Sequence, residues 1–330
     1  MPLSGTQMGA LVLEPQYREY VWGGDRLRPG RLTAEAWVVY EGNTIRGGPL
    51  AGQTLASAAE QYGADLLGRR VVAHTGLRFP LLIKLLDCAQ WLSLQVHPND
   101  EQAERLEGPG HYGKTEAWHI LQADPGAEIL CGFQPGVAEA DWKRAVRDGS
   151  LLDYARHVPL AAGDSVFIRP GTMHALGPGL LVYEVQQTSD ITYRVWDWNR
   201  PLTTGRKLHI DQSLEVIDPT AGGQPVPQPP FVDGQRHLLV TCPYFTLQQI
   251  TSQRAPVALD PAGQTFYTLT VTDGEVELRG DNWSQAFGRY ESAVIPAAAG
   301  PCTLHASSQA RVLLASVEHQ SRPITEAGEN

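Results

Sequence analysis

Short runs of alternating polar and apolar residues, each closed by Gly, Pro, Asn or Asp, most constrain how this chain folds. Side chains two residues apart share one face of a β-strand, so such runs predict strands with one buried side. Examples are TAEAWVVY at residues 33–40, FPLLIKLL at 79–86 and AWHILQ at 117–122. Glycine (33 residues) and proline (24 residues) supply the turns that many short strands need. The chain is therefore expected to be mainly β.

A proline-rich stretch divides the chain. DPTAGGQPVPQPP at residues 218–230 contains five prolines, and proline continues neither a helix nor a central strand. We therefore expect an N-terminal domain over residues 1–217, a stiff connector over 218–230 and a C-terminal β domain over 231–330. Gly-Asp at 163–164 and Asp-Gly at 273–274 are similar turns beside strands, which predicts two related double-stranded β-barrels.

Helical periodicity is confined to a few segments. Thr54–Leu67 and Val137–Asp148 place apolar residues at helical spacing, and Asn99 is suited to cap a third helix over NDEQAERL. The residues from about 99 to 156 are expected to form a small helical insertion in the first domain.

Charge and composition exclude several classes of protein. Twenty-six Lys and Arg residues against 36 Asp and Glu residues give a net charge of −10, which disfavours binding to nucleic acid or to an anionic membrane. We expect neither a secretory signal nor a membrane span, because the N-terminal segment has no basic region before its short apolar run and no apolar run is long enough to span a bilayer. The four cysteines lie far apart with no CxxC pair. We therefore expect a cytoplasmic protein with reduced thiols.

Two sets of polar side chains recur at the spacing of a strand face. In WLSLQVHPND at residues 91–100, Ser93, Gln95 and His97 share one face, opposite the leucines and the valine. In GKTEAWHIL at 113–121, Lys114 and Glu116 share a face with a tryptophan. Such polar faces usually lie in solvent, but two sets in one domain favour a site.

A third element supplies a further histidine. GDSVFIRPGTMH at residues 163–174 predicts a strand closed by a Pro-Gly turn that presents His174. Gln95, His97, Glu116 and His174 would give two imidazoles, one carboxylate and one amide oxygen. That set suits a catalytic Zn²⁺ with an exchangeable water, and the absence of thiolates disfavours a closed structural site.

Several ordered motifs carry a resemblance to a known family. YVWGGDRL at 20–27, LSLQVHP at 92–98, GKTE at 113–116, PGTMHAL at 170–176 and YEVQQTSDITYRVWDW at 183–198 look like the class I mannose-6-phosphate isomerases, or phosphomannose isomerases. The chain is most similar to their shorter bacterial form. The resemblance implies two cupin-like barrels (a bicupin of jelly-roll type), with the metal site only in the first.

The resemblance also implies a substrate and its site. It implies one Zn²⁺ per chain, held by the four candidate ligands, and a small sugar phosphate as the molecule bound. The residues that would line the pocket are Lys84, Ser93, Lys114, Glu184, Asp190 and Arg194. Two departures concern longer members of the family: Gly113 stands where they have a His, and Leu176 stands where some have an aromatic hydroxyl. The roles assigned to those two groups do not carry over.

Each pocket residue has an expected role in moving a proton between C1 and C2 of mannose 6-phosphate and fructose 6-phosphate through a cis-enediol. Lys114 would assist ring opening or proton transfer, and Glu184 or Asp190 would complete the relay. Arg194 would hold the phosphate or an enediolate oxygen, because its planar fork matches oxyanions. The substrate-binding residues would further include Lys84, Ser93 and Trp22, the last as a wall of the cleft.

Two other interpretations stay open from the residues alone. His97, Glu116 and His174 by themselves would suit an iron cupin oxygenase. A sugar-phosphate-binding cupin without turnover would keep the fold, although such a binder needs no proton shuttle. The remaining histidines, His119 and His209 among them, lack this spacing and are expected to be structural. A monomer or a weak homo-oligomer is expected.

Overall fold

The computed structural model describes residues 8–201 and 205–318 and the backbone of a strand at Thr325–Glu326. The chain divides into two compact units that are not contiguous in sequence. Unit 1 comprises Met1–Gln16, Trp37–Ile83 and Pro229–Asn330, and unit 2 comprises Tyr17–Ala36 and Lys84–Gln228.

This division differs from a continuous domain over residues 1–217. The reason is strand pairing, because Leu11 near the N-terminus pairs with Val294 and Val12 pairs with Ala293 in the C-terminal part. The late boundary, between residues 228 and 229, does fall inside the proline-rich stretch 218–230.

Strands account for most of the regular structure. In chain order they are β1 (Leu11–Leu13), β2 (Gln16–Arg18), β3 (Glu35–Val39), β4 (Ile45–Arg46), β5 (Leu81–Cys88), β6 (Leu94–Val96), β7 (Glu116–Ala123), β8 (Glu128–Phe133), β9 (Ala155–Pro159), β10 (Ser165–Ile168), β11 (His174–Leu176), β12 (Leu180–Gln187), β13 (Tyr193–Trp196), β14 (Pro225–Val226), β15 (Gln235–Thr241), β16 (Thr246–Ser252), β17 (Val257–Leu259), β18 (Tyr267–Asp273), β19 (Val276–Arg279), β20 (Ser284–Phe287), β21 (Ser292–Ile295), β22 (Cys302–Ala306), β23 (Ala310–Ser316) and β24 (Thr325–Glu326).

The helices are short. They are α1 (Leu55–Tyr62), α2 (Ala64–Leu67), α3 (Arg69–Thr75), α4 (Asp100–Glu107), α5 (Glu139–Asp148) and α6 (Ile210–Val216), with a 3-10 turn at Leu151–Tyr154. Among the described residues, none of the helices has the length and apolar character needed to cross a membrane. The mainly β fold predicted from the alternating runs is confirmed.

Unit 1 packs two antiparallel sheets on one apolar core. The eight-stranded sheet has the order β24-β15-β16-β23-β18-β21-β1-β4, and the four-stranded sheet has the order β17-β22-β19-β20. Leu269, Ile295 and Leu314 from the first sheet contact the same core as Leu278 and Leu304 from the second. Sheets packed face to face bury one side of every strand, which the period-two pattern requires.

Unit 2 repeats this arrangement. It contains the five-stranded sheet (β13-β6-β11-β8-β9) and, from the seven-stranded sheet (β14-β10-β7-β12-β5-β3-β2), the strands β14, β10, β7 and β12 with parts of β5, β3 and β2. Trp118 and Val182 of the first sheet share a core with Ile129 and Leu176 of the second. On the opposite face of the five-stranded sheet, a second core joins its residues to Trp142 of α5. The five-stranded sheet is therefore covered on both sides.

The predicted helices and the proline-rich connector are found with local differences. The predicted helix over Thr54–Leu67 is two helices, because Gly63 between them adopts φ 49°, a conformation that suits glycine. The helix predicted over Val137–Asp148 is confirmed as α5, and Asn99 caps α4 in a reciprocal capping box. Within the connector, β14 pairs with β10 at the edge of its sheet, where proline is tolerated.

Candidate active site

Strand register in unit 2 brings the predicted ligands together. His174 of β11 pairs with Gln95 of β6, and Arg194 of β13 pairs with the same Gln95. Leu94 and Val96, which flank Gln95, belong to the core on the far side of the sheet. Gln95 therefore points to the side that also holds His174 and Glu116, as the alternation predicted. Leu92 differs: it precedes β6 and packs in the core on the near side.

His97, Glu116 and His174 form a buried cluster. Their ligand atoms all lie within 4.8 Å of one another. His174 Nε2 is 3.2 Å from Glu116 Oε1, and His97 Nε2 is 3.6 Å from Glu116 Oε2. The three residues are at most 1% exposed. Two imidazole nitrogens and a carboxylate at this spacing can bind a divalent cation.

Backbone carbonyls fix the orientation of both imidazoles. His97 Nδ1 is 2.9 Å from the carbonyl oxygen of Ile191, and His174 Nδ1 is 2.9 Å from that of Thr172. A carbonyl oxygen only accepts, so in each neutral ring Nδ1 carries the hydrogen and Nε2 keeps its lone pair. Histidine ligands of metals are held in this way by an acceptor behind the ring.

Lys114 neutralises Glu116. Its Nζ is 2.7 Å from Glu116 Oε2 and 3.0 Å from His97 Nε2. Burial by itself would raise the pKa of Glu116, but Lys114 and the two histidines outweigh it and hold that pKa well below its usual range. Burial, and then the Lys114 charge, place the pKa of His97 well below its usual value. The cluster therefore holds an anionic carboxylate and a neutral His97 at pH 7.

The donor set passes a test of fit to a metal ion. Both carboxylate oxygens of Glu116 are buried and, apart from the ion pair with Lys114, accept no well-aligned hydrogen bond, which leaves lone pairs for a cation. Gln95 needs a rotation: Ser93 donates to its Oε1 at 3.2 Å, and its Nε2 lies 3.3 Å from His174 Nε2. Turning the amide by 180° would present the oxygen that a cation requires.

A polar pocket of about 540 Å³ lies next to the cluster. Its walls include nine of the eleven predicted site residues, all but the buried ligands His97 and Glu116. The nine are Trp22, Lys84, Ser93, Gln95, Lys114, His174, Glu184, Asp190 and Arg194, and Leu176 also lines the pocket. Trp22 is 2% exposed and forms a wall, whereas Asp190 is exposed. The pocket is in the size range of small-molecule sites.

A second group of buried charges lines the pocket. Lys84 Nζ is 3.2 Å from Glu184 Oε1 and 4.0 Å from Glu35 Oε2, and Trp118 Nε1 donates to Glu184 Oε2 at 2.9 Å. Burial tends to lower the pKa of Lys84, but Glu184 and Glu35 outweigh burial and raise it. Lys84 is therefore a fixed cation, paired inside the protein.

Arginines meet at another part of the wall. Arg194 Nη1 donates to the carbonyl oxygen of Lys207 at 3.0 Å, while its buried Nε has no hydrogen-bond partner among the described residues. Arg206 Nη2 lies 3.3 Å from Ser93 Oγ. Burial and then the Arg206 charge lower the pKa of Arg194. The positive charges of Arg194 and Arg206, together with the unpartnered Nε of Arg194, favour binding of an anion at this wall.

Several lining residues were missed from the sequence, among them Arg206, Glu35 and His209. Arg206 and Glu35 carry no spacing signal, and His209 was expected to be structural. His209 precedes α6, and its Nδ1 lies 3.2 Å from the backbone nitrogen of Arg194, from which it accepts. Only the basic pair in GRKLH at residues 205–209, beside YRVWDW, could have indicated an anion site there.

The fold and the cluster together define a class: a two-sheet β protein with a His-Glu-His metal-binding cluster beside a polar pocket that carries several cations. The phosphomannose isomerase type I catalytic domain matches residues 11–135. A mannose-6-phosphate isomerase of Streptococcus mutans is 36% identical over 253 residues, which are 72% of this chain and 77% of the relative.

Two further comparisons extend over most of the chain. A mannose-6-phosphate isomerase of Bacillus subtilis is 31% identical over 307 residues, 87% of this chain and 92% of the relative. The crystal structure of the mannose 6-phosphate isomerase from Bacillus subtilis matches with a TM-score of 0.80 and 27% identity, covering 93% of this chain and 99% of that one. The chain belongs to the type I phosphomannose isomerase family and is an isomerase with the cupin-like fold of that family.

Proposed function

We propose that this chain interconverts mannose 6-phosphate and fructose 6-phosphate at a zinc site, through a cis-enediol. One observation carries the proposal: the buried His97, Glu116 and His174 cluster lies beside a pocket that also holds Lys114 and two arginines. The members of its family that are named mannose-6-phosphate isomerases support the same reaction.

The donor set favours zinc and leaves it positively charged. Neutral His97, neutral His174 and neutral Gln95 with anionic Glu116 would give a formal charge of +2 − 1 = +1. When bound, the ion supplies Lewis acidity to the substrate oxygens at C1 and C2. A thiolate-rich set would cancel that charge, and among the described residues the cluster contains two histidines and a glutamate but no cysteine.

The arginine side of the pocket would bind the phosphate. Arg194 and Arg206 present fork-shaped donors, and Ser93 adds a hydroxyl beside them. This end would fix the sugar so that its first two carbons face the cluster.

Lys114 and Glu184 would handle protons. Lys114 Nζ lies 2.7 Å from a cluster carboxylate and also lines the pocket, so it can reach both the ligand shell and the substrate. Glu184 is fixed between Lys84 and Trp118, which orient its carboxylate. A fixed carboxylate is suited to take a proton from carbon and return it to the neighbouring carbon. Asp190, exposed at the pocket wall, would be the less direct partner.

Two alternative functions are disfavoured. An iron oxygenase needs open coordination positions for O₂ as well as substrate, whereas Gln95 stands within 3.3 Å of His174 and would take one of them. A non-catalytic sugar-phosphate binder would not need a buried lysine against the metal ligands. Membership of an isomerase family disfavours both.

The test is conversion of mannose 6-phosphate to fructose 6-phosphate by purified protein, followed through a coupled assay. We expect turnover that a chelator abolishes and Zn²⁺ restores. Mannose without phosphate should be a poor substrate, because the arginines would then have no partner. Absence of conversion by the zinc-loaded protein, or full activity after the chelator, would overturn the proposal.

A further inference from the structure

Asp197 is a buried carboxylate that joins two arginines outside the metal cluster. Its Oδ1 accepts from Arg200 Nη1 at 2.9 Å and from Arg206 Nη2 at 3.2 Å, while its Oδ2 accepts from Arg206 Nε at 2.7 Å. Its side chain is 6% exposed. Arg206 donates to Asp197 through two nitrogens, Nε and Nη2, and this bidentate contact fixes both the position and the orientation of its guanidinium group.

The turn that carries Asp197 is tied to the segment before β6. Trp198 Nε1 donates to the carbonyl oxygen of Leu92 at 2.7 Å, and Arg200 Nη2 donates to that of Trp91 at 2.7 Å. The rings of Trp91 and Trp198 stack with centroids 5.1 Å apart. Trp198 and Asn199 both adopt φ 55°, a backbone conformation that residues other than glycine rarely take unless the surroundings impose it.

These contacts fix Asp197 relative to the segment that bears Ser93 and leads into β6 with Gln95. Asp197 in turn fixes Arg206, whose Nη2 also reaches Ser93 Oγ. The remaining nitrogen of Arg206, Nη1, has no hydrogen-bond partner within residues 8–201 and 205–318, so it is available to a ligand in the pocket. A free arginine side chain would lose much rotamer entropy on binding, and the contact with Asp197 removes that cost beforehand.

We propose that Asp197 is a positioning residue for the phosphate end of the substrate. It holds Arg206 at a set place relative to the metal cluster, and it offsets part of the like charge of Arg194, Arg200 and Arg206. Asp197 itself does not contact the substrate. This inference rests on the proposed function, in which Arg206 binds the phosphate.

The first measurement is the steady-state kinetics of Asp197→Asn in the zinc-loaded protein. We expect KM for mannose 6-phosphate to rise roughly tenfold, with kcat within about threefold of the parent, because binding rather than chemistry loses its preorganised partner. The inhibition constant of inorganic phosphate should rise in parallel. Asp197→Glu keeps the charge but moves the carboxylate by one methylene, so its KM should lie between those of the parent and Asp197→Asn. This second variant keeps the test informative if Asp197→Asn fails to fold.

The second measurement is a double-mutant cycle with Arg206→Met. Arg206→Met alone should raise KM at least as much as Asp197→Asn, and adding Asp197→Asn to it should cause little further change, because Asp197 acts through Arg206. A merely structural Asp197 would instead give additive effects and lower kcat and zinc content as well. Glu277→Gln, which breaks an exposed ion pair with Arg279 in unit 1, is the matched control and should leave every parameter unchanged.

The outcomes separate this inference from the proposed function. If Arg206→Met raises KM and the phosphate inhibition constant while Asp197→Asn changes neither, the positioning role is wrong and the function stands. Additive effects in the cycle also overturn the positioning role. If Arg206→Met leaves KM unchanged in an active enzyme, both the phosphate-binding role of Arg206 and this inference fail. If the zinc-loaded parent does not convert mannose 6-phosphate, the proposed function itself fails.

Discussion

The two units fill the space between their sheets in opposite ways. In unit 1 the facing positions of β18, β21 and β23 are apolar, with Leu269, Ile295 and Leu314 in one core. In unit 2 the interior also contains buried ionisable side chains, among them Lys84 and Glu116. The same two-sheet construction therefore supports an inert core in one unit and a reactive site in the other.

The difference shows what a charged interior requires. An ionised group taken out of water costs several kcal/mol unless an opposite charge or hydrogen bonds compensate it. Unit 2 meets this requirement in pairs, with Lys84 beside Glu184 and Lys114 beside Glu116. Removing one partner of such a pair therefore leaves the other charge uncompensated, and in unit 2 the pairs lie at the candidate site.

The largest effect is expected from Glu116→Gln, which removes the anion of the cluster. Loss of bound metal withdraws several kcal/mol of electrostatic stabilisation, so kcat/KM should fall at least about 1,000-fold. Metal analysis of the purified variant should show most of the zinc lost. Retention of both zinc and activity would show that the cluster is not the site.

Lys114→Met should give the next largest loss. The Lys114 side chain would take part in proton transfer to or from the substrate. Without it, kcat should fall about 100- to 10,000-fold while zinc stays bound. The measurement is kcat at saturating substrate on samples of known zinc content. Near-normal turnover would remove Lys114 from the chemistry.

Lys84→Met tests the second buried pair through stability. Leaving Glu184 and Glu35 without their cation should lower the free energy of unfolding by about 3–5 kcal/mol near pH 8, measured by urea denaturation. The folded-state pKa of Lys84 is raised above 10.5, so its contribution is fully present below the unfolded value and is lost only as the pH rises through the folded one.

The difference between Lys84→Met and the parent should therefore stay constant between pH 8 and 9.5. A difference that shrinks over this range would mean that Lys84 loses its proton there, against the raised pKa.

The smallest effect on catalysis is expected in unit 1. Leu314→Ala should open a cavity and lower the free energy of unfolding by about 2–5 kcal/mol. The kcat of the folded enzyme, assayed well below its unfolding temperature, should stay within about twofold. A large loss of kcat without unfolding would show that the apolar core of unit 1 also takes part in the reaction.

Local patterns in the sequence carry more information about which side chains meet than about which distant strands pair. Period-two spacing predicted that Gln95 and His97 share one strand face, and a Pro-Gly turn was predicted to present His174. The structure brings these side chains together with Glu116, because strand geometry fixes which side chains share a face. Spacing could not show that Leu11 pairs with Val294, since pairing between distant strands is set by packing rather than by local pattern.

Other misses have equally physical reasons. Arg206 lies in the pocket because Asp197 holds it there, a contact between side chains that no spacing rule encodes. The split between α1 and α2 follows from the backbone of Gly63, which apolar periodicity ignores. The orientation of the Gln95 amide depends on hydrogen bonds to Ser93 and His174.

The most direct test is a zinc titration of metal-free protein, with bound metal and isomerase activity measured on the same samples. We expect activity to rise in proportion to zinc and to level off at one ion per chain, with Glu116→Gln showing neither binding nor activity. Two results would contradict a catalytic metal at His97, Glu116 and His174. One is full activity of the metal-free protein before any zinc is added, and the other is a Glu116→Gln variant whose activity rises with zinc to the level of the parent.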